Sequence, residues 1–403
     1  MNVKASSFGW VSFAMIVGVM GTALISPLYA LYQEAWQLKT SDVSLIYVVY
    51  MAGALCGLLF LGRLPDRLGF RAVMQAGLFL VLLGTLITLL AWDLWSLNAG
   101  RFVVGVASSM LTTSATLGLG KLIPARHRSR LAMITGIVIA LGFGLGPLVG
   151  GMMGQWVPYP LVTTYLPTLL LGVLVLAMFR RLHIPEGDRS ETSAPFRWRD
   201  VAPKMTWPVA SDSLAFVLTS CLAFLSFAVF GLYASLSPLF LDKLIPWHGP
   251  VVSGTAIATI LFGSALTQII CGRMTAHWCG FWGLLMLALS NGLLLVNLGA
   301  SSATVFALGV TLTAIGHGMC QMTGIGMVNR IATNDTRAGL FSSYLVVGYV
   351  GTMVPIMGIG WIADHWGMQT ALYAFCSGVI VIATVVAVLF QRHPRMRRPC
   401  DQV

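Results

Sequence analysis

Charged side chains are scarce in this sequence, and acidic ones are the scarcest. Only 9% of the 403 residues are charged, and 13 Asp and Glu stand against 24 Lys and Arg. A soluble domain carries about a quarter charged residues, because its surface needs polar cover. Hydrophobic residues make up 57% of the chain. The shortage of charge therefore excludes an ordinary soluble protein and favours lipid as the surrounding solvent.

Several kinds of chemistry lack the residues that would support them. The seven cysteines form no C-x-x-C pair, so we expect neither a disulfide framework nor a metal site. A phosphate-binding G-x-x-x-x-G-K-[ST] segment is absent, which leaves ATP-driven pumping unsupported. Hydrolysis or acyl transfer needs converging nucleophile, base or metal-ligand groups, and only His317 falls in the middle of an apolar stretch. The sequence therefore predicts no enzyme, no cofactor and no metal.

Apolar stretches of about 20 residues recur along the chain, each long enough to cross a bilayer as a helix. The predicted spans are 8–33, 42–62, 72–92, 95–122, 131–154, 160–182, 212–241, 250–272, 281–299, 302–330, 338–363 and 368–390. These spans predict an all-α integral membrane protein with twelve transmembrane helices. A polar segment at 183–208 separates an N-terminal six-helix half (1–182) from a C-terminal one (209–391), and a basic tail follows at 392–403.

The basic residues predict the orientation of these helices. We assign 21 of the 24 Lys and Arg to one side, whereas the opposite loops hold only Lys39 and Lys243. Positive charge accumulates in cytoplasmic loops, so both termini are predicted to face the cytoplasm. The net charge of +11 is thus a marker of topology, and we expect the lipid bilayer rather than nucleic acid as a partner.

The loop after the second predicted span reads G-R-L-P-D-R-L-G-F-R. It resembles the G-x-L-a-D-R-x-G-r-[KR] signature of the major facilitator superfamily, with departures at Pro65 and Phe70. The matching positions are Gly62, Asp66, Arg67, Gly69 and Arg71. The resemblance implies the major facilitator fold, a monomer, a bacterial inner membrane, and alternating access to a small-molecule site between two repeated halves.

Asp66 is the central residue of this loop motif. It is expected to accept charge-assisted hydrogen bonds from Arg67 or Arg71 and to face the positive end of a neighbouring helix. The resemblance implies that this neighbour is the eleventh helix and that the contact latches the cytoplasmic side shut. Ordinary topology-marking loop charges are the alternative. A second copy of the loop at 272–281 has Ala276 in place of the acid, so it is not expected to form a full latch.

The fourth span carries an arginine motif, from Arg101 to Gly105, that resembles the R-x-x-x-G pattern of the same superfamily. An arginine two turns inside a span needs a partner or a water-filled cavity. The role proposed for Arg101 is to assist protonation changes through its fixed charge. The alternative is an arginine that snorkels to the membrane interface.

The fifth span contains a glycine repeat with a period of four, which makes one helix face smooth enough for close packing, and a proline that should kink the helix. It resembles the antiporter motif of drug–proton exporters, although Met133 stands where the first glycine would be. The matching positions are Gly142, Gly146, Pro147, Gly150 and Gly151. The resemblance implies proton-coupled efflux of the kind that gives multidrug resistance. A generic packing seam, or an importer or facilitator of a small organic solute, is the alternative.

The candidate proton and substrate site comprises His317, Gln321 one turn further along the tenth span, and Glu34 at the end of the first. Histidine changes charge near neutral pH, but a neutral hydrogen-bonding role is equally open. No carboxylate lies at mid-depth to bind a lipophilic cation, and Arg101 makes its surroundings positive. The sequence therefore predicts a small neutral or anionic organic substrate, exported in exchange for protons.

Overall fold

A computed structural model describes residues 3–123, 131–181, 205–333 and 335–397. Within those residues twelve helices are long and apolar enough to cross a membrane, and there are no strands. They are α1 (Ser7–Trp36), α2 (Thr40–Leu61), α3 (Phe70–Leu89), α4 (Leu94–Leu122), α5 (Ile134–Trp156), α6 (Pro160–Phe179), α7 (Ala210–Leu241), α8 (Pro250–Arg273), α9 (Ala276–Ala300), α10 (Ala303–Ile331), α11 (Arg337–Trp366) and α12 (Met368–Arg392). The predicted all-α, twelve-helix membrane architecture is confirmed.

The start of α9 differs most from the prediction, because the helix begins at Ala276 rather than at 281. Thr275 has an extended backbone (φ −67°, ψ 141°) and ends the preceding connection. The first turn of α9 then contains His277 and Trp278, and amphipathic rings of this kind are favoured at the membrane interface. A strictly apolar criterion therefore began the span too late.

The helices pack into two compact units. Of the described residues, unit 1 contains 3–32, 45–123 and 131–181, and unit 2 contains 33–44, 205–333 and 335–397. Most of the predicted polar segment at 183–208, and the last six residues of the predicted tail, lie outside the described residues. The domain boundaries proposed from the sequence therefore stay predictions, and the packing adds that residues 33–44 belong with unit 2.

Each unit has its own apolar core. In unit 1 the core is built from α1, α3, α4, α5 and α6, and it includes Met15, Phe70, Leu111, Val138 and Phe179. In unit 2 a cluster joins α7, α10 and α11 and contains Phe216, Ala223, Val328, Leu340 and Tyr344. Because lipid is as apolar as these side chains, close packing rather than exclusion of water holds such helices together.

Residues 33–44 belong to unit 2 because Asp364, near the end of α11, caps the first turn of α2. Its Oδ1 accepts a hydrogen bond from the backbone N–H of Thr40 at 2.8 Å, and the N–H of Ser41 lies 3.2 and 3.4 Å from the two carboxylate oxygens. Gly360 permits the approach, because a Cβ there would lie 2.9 Å from the Cα of Ser41. A carboxylate in this place satisfies N–H groups that have no partner within the helix.

The described start of the basic tail is also attached to unit 2. Arg395 lies in a short helix, Pro394–Arg397, and its Nη1 is 2.5 Å from Oδ1 of Asp212 in the first turn of α7. Met396, which lies between Arg395 and Arg397, is fully buried. The first residues of this tail are therefore a packed element of unit 2.

Candidate functional site

The loop between α2 and α3 folds as a short helix, Leu64–Leu68, followed by a glycine turn. Gly69 has φ 86° and ψ 144°, and a positive φ of this kind is one that glycine adopts without steric cost. The next residue, Phe70, begins α3 and is buried. The backbone of the turn therefore accounts for the second glycine of the loop motif.

Asp66 is exposed on this short helix, and its carboxylate accepts no hydrogen bond from any residue that the structure describes. The bonds expected from Arg67 or Arg71 to Asp66 stay a prediction. Adjacent residues on a helix do not face each other, and Nη2 of Arg71 lies 3.5 Å from the carbonyl oxygen of Phe179 instead. The latch function of the motif stays a prediction.

Helix α1 is interrupted rather than continuous. Regular helix extends over Val3–Ala23, a 3-10 turn follows at Ser26–Leu28, and helix resumes at Tyr29–Trp36. Pro27 lies in the turn and has no N–H to donate. The interruption leaves the carbonyl of Thr22, just before it, available to a donor on another helix.

That donor is Arg101 of α4, which is only 3% exposed. Its Nη1 and Nη2 each donate to the carbonyl oxygen of Thr22 at 3.1 Å. The guanidinium carbon lies 4.5 Å from the centre of the Tyr50 ring, within range of a cation–π interaction, while Nε has no hydrogen-bond partner. Arg101 therefore points into unit 1, and the snorkelling alternative is not what the structure shows.

Gly105 lies one turn after Arg101 and explains how the ring of Tyr50 reaches the guanidinium. A Cβ at Gly105 would overlap the backbone carbonyl of Tyr50 and lie 2.8 Å from the backbone nitrogen of Ala54. The absence of a side chain thus lets α4 and α2 touch. The arginine and the glycine of the R-x-x-x-G motif contribute to the same contact.

Three more buried tyrosines surround Arg101. The hydroxyls of Tyr32 and Tyr165 are 2.9 Å apart and form a hydrogen bond. The Tyr29 hydroxyl lies beside the guanidinium, fully buried, without a hydrogen bond of ordinary geometry. No Asp or Glu of the described chain lies within ion-pair distance of Arg101. We call Arg101, Thr22, Tyr29 and Tyr50 the arginine cluster.

The glycine repeat of α5 packs against α1, as a close-packing seam should. A Cβ at Gly142 would lie 2.9 Å from the Cβ of Val19, and one at Gly146 would lie 2.5 Å from the carbonyl oxygen of Met20. At Gly150 the added carbon would overlap the Leu24 carbonyl. The structure therefore supports the packing role of the repeat, and nothing in it tests the antiporter role.

The other two residues of the antiporter motif lie within the same helix. Gly151 is buried, and helical structure extends over Leu131–Trp156 with Pro147 inside it. The side chain of Met133 lies outside the described part. The helix is therefore not ended by its proline.

His317 is the centre of a polar cluster in unit 2. Its Nδ1 lies 2.9 Å from Oγ of Ser264 in α8, and Nε2 of Gln268 approaches the same hydroxyl at 3.4 Å. The Phe230 ring lies 5.5 Å from the imidazole, centre to centre. We call these four residues the histidine cluster. In the sequence, this cluster is indicated only by Ser264 and Gln268, two polar side chains one turn apart in α8. No function was predicted for them.

Gln321 and Glu34 have different surroundings from His317. Nε2 of Gln321 lies 3.3 Å from Oγ of Ser226 in α7. Glu34 is exposed, and its backbone carbonyl accepts a hydrogen bond from the Gln37 side chain at 2.8 Å. Among the described contacts none joins Glu34 to His317 or Gln321, so the three residues do not form one cluster. The position of Glu34 near the end of α1 did not indicate whether its side chain would lie near His317 and Gln321.

Comparison with known proteins identifies a matching family model and similar transporters. The family model described as "Major Facilitator Superfamily" matches residues 11–278. A triacylglyceride transporter of Mycobacteroides abscessus is 26% identical over 380 residues, covering 90% of this chain and 63% of the relative. A triacylglyceride transporter of Mycobacterium tuberculosis is 26% identical over 387 residues, covering 92% and 64%. This chain thus spans less than two thirds of the length of these relatives.

The solved structures show a similar fold. A bacterial homologue of the human lysosomal transporter Spinster, in an inward-facing and occupied conformation, superposes with a TM-score of 0.76 at 15% identity. The match covers 99% of each chain. At this identity the likeness concerns the fold alone.

Proposed function

The chain belongs to the Major Facilitator Superfamily, and on that premise we propose that it is a secondary active transporter that exports a neutral or anionic organic compound in exchange for protons, by alternating access. One observation carries the proposal: Arg101 is a buried cation with no carboxylate at ion-pair distance in the described chain. Charged residues inside a membrane mark substrate or ion pathways. The proposal includes no enzymatic activity and no cofactor.

The charge of the interior supports this substrate class. The acidic residues that the structure describes lie at helix ends or in connections, so none of them is at mid-span, where it could pair with a lipophilic cation. The guanidinium of Arg101 repels such a cation at any physiological pH, since arginine stays protonated. A neutral or anionic compound needs no carboxylate for binding and is not repelled by the guanidinium.

The direction of transport rests on the glycine repeat of α5. Gly146 and Gly150 pack on backbone carbonyls of α1, and the segment resembles the antiporter motif of proton-coupled exporters. The positive-inside pattern supports cytoplasmic termini, and the proposed location in a bacterial inner membrane rests on the resemblance to the superfamily. An importer or facilitator of the same superfamily shares the fold, and only transport measurements separate it from an exchanger.

The relatives favour an acyl lipid within the proposed class. Two triacylglyceride transporters match nine tenths of this chain. An acyl chain would suit an interior that is apolar apart from a few fixed polar groups. We therefore propose that the exported compound has an acyl or alkyl chain.

The test is proton movement in vesicles that contain the purified protein and a trapped pH dye. Three probes with a ten-carbon chain differ in the charge of the headgroup: monodecanoylglycerol is neutral, decanesulfonate is an anion and decyltrimethylammonium is a cation. A sulfonate is the anion of choice because it does not carry protons across lipid by itself. Protein-free vesicles are the control for leakage, and vesicles with the Gly136→Ala variant, altered where nothing lies within 4 Å of the new carbon, are the control for mutation.

The expected result is that the neutral or the anionic probe dissipates an imposed proton gradient only when protein is present, and that the cation does not. Coupling to the cation alone would overturn the substrate class. Equilibration of a probe without proton movement would replace exchange by facilitation.

A further inference from the structure

The interruption of α1 places unwound backbone inside unit 1. The helix stops at Ala23, and the 3-10 turn at Ser26–Leu28 separates it from the next helical segment. In transporters, discontinuous membrane helices commonly form the substrate and ion sites, because they offer backbone groups that a regular helix keeps for itself. Here one such group, the Thr22 carbonyl, already binds Arg101.

The guanidinium retains unused hydrogen-bonding capacity. It carries five N–H donors, and among the described residues the acceptor that it meets with ordinary hydrogen-bond geometry is the carbonyl of Thr22. Nε is buried without a partner, and Arg101 has no carboxylate at ion-pair distance in the part of the chain described here. A peptide carbonyl is a dipole and carries no net charge, so the positive charge of Arg101 has no counter-ion among the described residues.

A second buried polar group lies beside it, close to both the guanidinium and Ser26. The Tyr29 hydroxyl belongs to the residue that starts the helical segment after the interruption, and its ring is fully buried. The hydroxyl makes no hydrogen bond of ordinary geometry. Buried polar groups in native proteins are nearly always satisfied, so the unpaired Nε, with a hydroxyl of poor hydrogen-bond geometry beside it, points to an acceptor that the described residues do not supply.

We propose that Arg101 and Tyr29 form an oxyanion subsite that binds the carboxylate or phosphate group of an amphiphilic substrate. The inference rests on the proposed transport function and narrows the substrate class from neutral or anionic to anionic. The Thr22 carbonyl and the Tyr50 ring hold the guanidinium in place, and Nε with the Tyr29 hydroxyl provides the donors. Charge-assisted hydrogen bonds of this kind are about twice as strong as neutral ones.

The subsite differs in chemistry from the histidine cluster. His317 and Ser264 share a hydrogen bond, and both can act as donor or as acceptor, so that cluster does not demand an anion. Arg101 provides donors alone, and its charge does not depend on pH in the physiological range. Preference for an anion should therefore follow changes at Arg101 and Tyr29.

The test is equilibrium binding to the purified full chain in nanodiscs of uncharged lipid at pH 8, without any gradient. Radiolabelled decanoate is the probe, and decyl phosphate and decanol compete with it. We expect decyl phosphate to compete and decanol to compete at least about tenfold more weakly, as expected for a lost hydrogen bond to a charged group. The relative strength of decanoate and decyl phosphate decides between a carboxylate and a phosphate group.

Variants assign the effect to residues. Arg101→Gln should weaken decanoate binding about tenfold or more and leave decanol binding unchanged, while Arg101→Lys should retain part of the preference. Tyr29→Phe keeps the cation and removes one donor, so it remains informative if Arg101→Gln does not fold. Tyr373→Phe, at an exposed residue of unit 2, is the matched control and should bind as the unchanged protein does.

The outcomes separate this inference from the proposed function. Equal binding of decanoate and decanol, or an unchanged charge preference in both Arg101→Gln and Tyr29→Phe, would overturn the subsite even if vesicles show proton exchange. Charge-selective binding that depends on Arg101 would support the subsite even if no probe moves protons in vesicles. In that case only the exchange mechanism would fail.

Discussion

Adding a single methyl group to the glycine seam of α5 should push α1 away. In Gly150→Ala the new carbon would overlap the carbonyl of Leu24, and in Gly146→Ala it would lie 2.5 Å from the carbonyl oxygen of Met20. Both obstacles are backbone atoms, which cannot rotate aside as a side chain can. The helices must therefore separate by a substantial part of an ångström, and overpacking of this kind costs about 1–3 kcal/mol.

The same helix offers a matched control. Gly136 has nothing within 4 Å of the position of an added Cβ, so Gly136→Ala gains only the higher helix propensity of alanine, up to about 1 kcal/mol. That gain is common to all three variants. The seam variants should therefore be less stable than Gly136→Ala by about 1–3 kcal/mol, the full cost of overpacking.

The assay is the thermal unfolding midpoint of each purified variant in one detergent, followed by tryptophan fluorescence, together with passive proton leak in vesicles. We expect Gly150→Ala and Gly146→Ala to unfold at lower temperature than the unchanged protein, and Gly136→Ala to unfold at the same or a higher temperature. The seam variants should also leak protons faster. Equal midpoints for Gly150→Ala and Gly136→Ala would refute the claim that α1 and α5 touch through backbone.

Two further predictions concern acidic residues at helix ends. Asp364→Ala should remove the cap from α2 and speed hydrogen exchange at Thr40 and Ser41 about 2- to 30-fold, the equivalent of about 0.5–2 kcal/mol. The control is Asp93→Ala at the start of α4, where the Asp93 carboxylate accepts a hydrogen bond from the Ser96 N–H; it should leave the Thr40 and Ser41 amides unchanged. Unchanged exchange at Thr40 and Ser41 in Asp364→Ala would contradict the capping account. Asp66→Asn should lower transport and favour the inward-open state, which distance measurements between spin labels would reveal, and well-folded variant protein with unchanged transport would remove the latch from the mechanism.

The positions of the helices were predictable because the bilayer imposes a local rule. Every backbone polar group in lipid must be satisfied within its own helix, so each span must be long and apolar, and composition alone reveals it. The interruption of α1 was missed although its local signal was present in Ser26 and Pro27. The span is apolar on both sides of the proline, and hydropathy does not register a change in backbone bonding.

The loop at 62–71 and its apparent copy at 272–281 are similar in sequence but differ in structure. Gly69 and Gly280 both precede phenylalanine, and the sequence aligned them as copies. In the structure Gly69 has a positive φ and precedes α3, whereas Gly280 lies inside α9, where an added Cβ would be 2.5 Å from the Phe390 ring. Gly69 permits a turn, whereas Gly280 permits close helix packing. The Gly-Phe dipeptide alone does not distinguish these two roles.

Partners from distant helices were beyond the sequence. Arg101 and Gly105 were identified by their spacing, but Thr22 and Tyr50 reach them from α1 and α2. Asp364 meets Thr40 across more than 300 residues of sequence. Such pairs depend on how helices pack, and neither hydropathy nor motif spacing contains that information.

The arginine and histidine clusters should control separate properties of transport. Arg101 carries a permanent charge, so it can set which charge class binds without responding to pH. An unperturbed imidazole changes charge near neutral pH. On the prediction that His317 carries the proton, His317→Gln should flatten the pH profile of transport while the preference among charged probes persists. Arg101→Gln should change that preference and keep the pH profile. In the double variant the two effects should add within about 0.5 kcal/mol, because sites without shared partners are independent. A larger coupling energy would mean that the two clusters are not independent. A pH profile that survives His317→Gln would mean that the imidazole is a neutral hydrogen-bonding group and that protons are carried elsewhere.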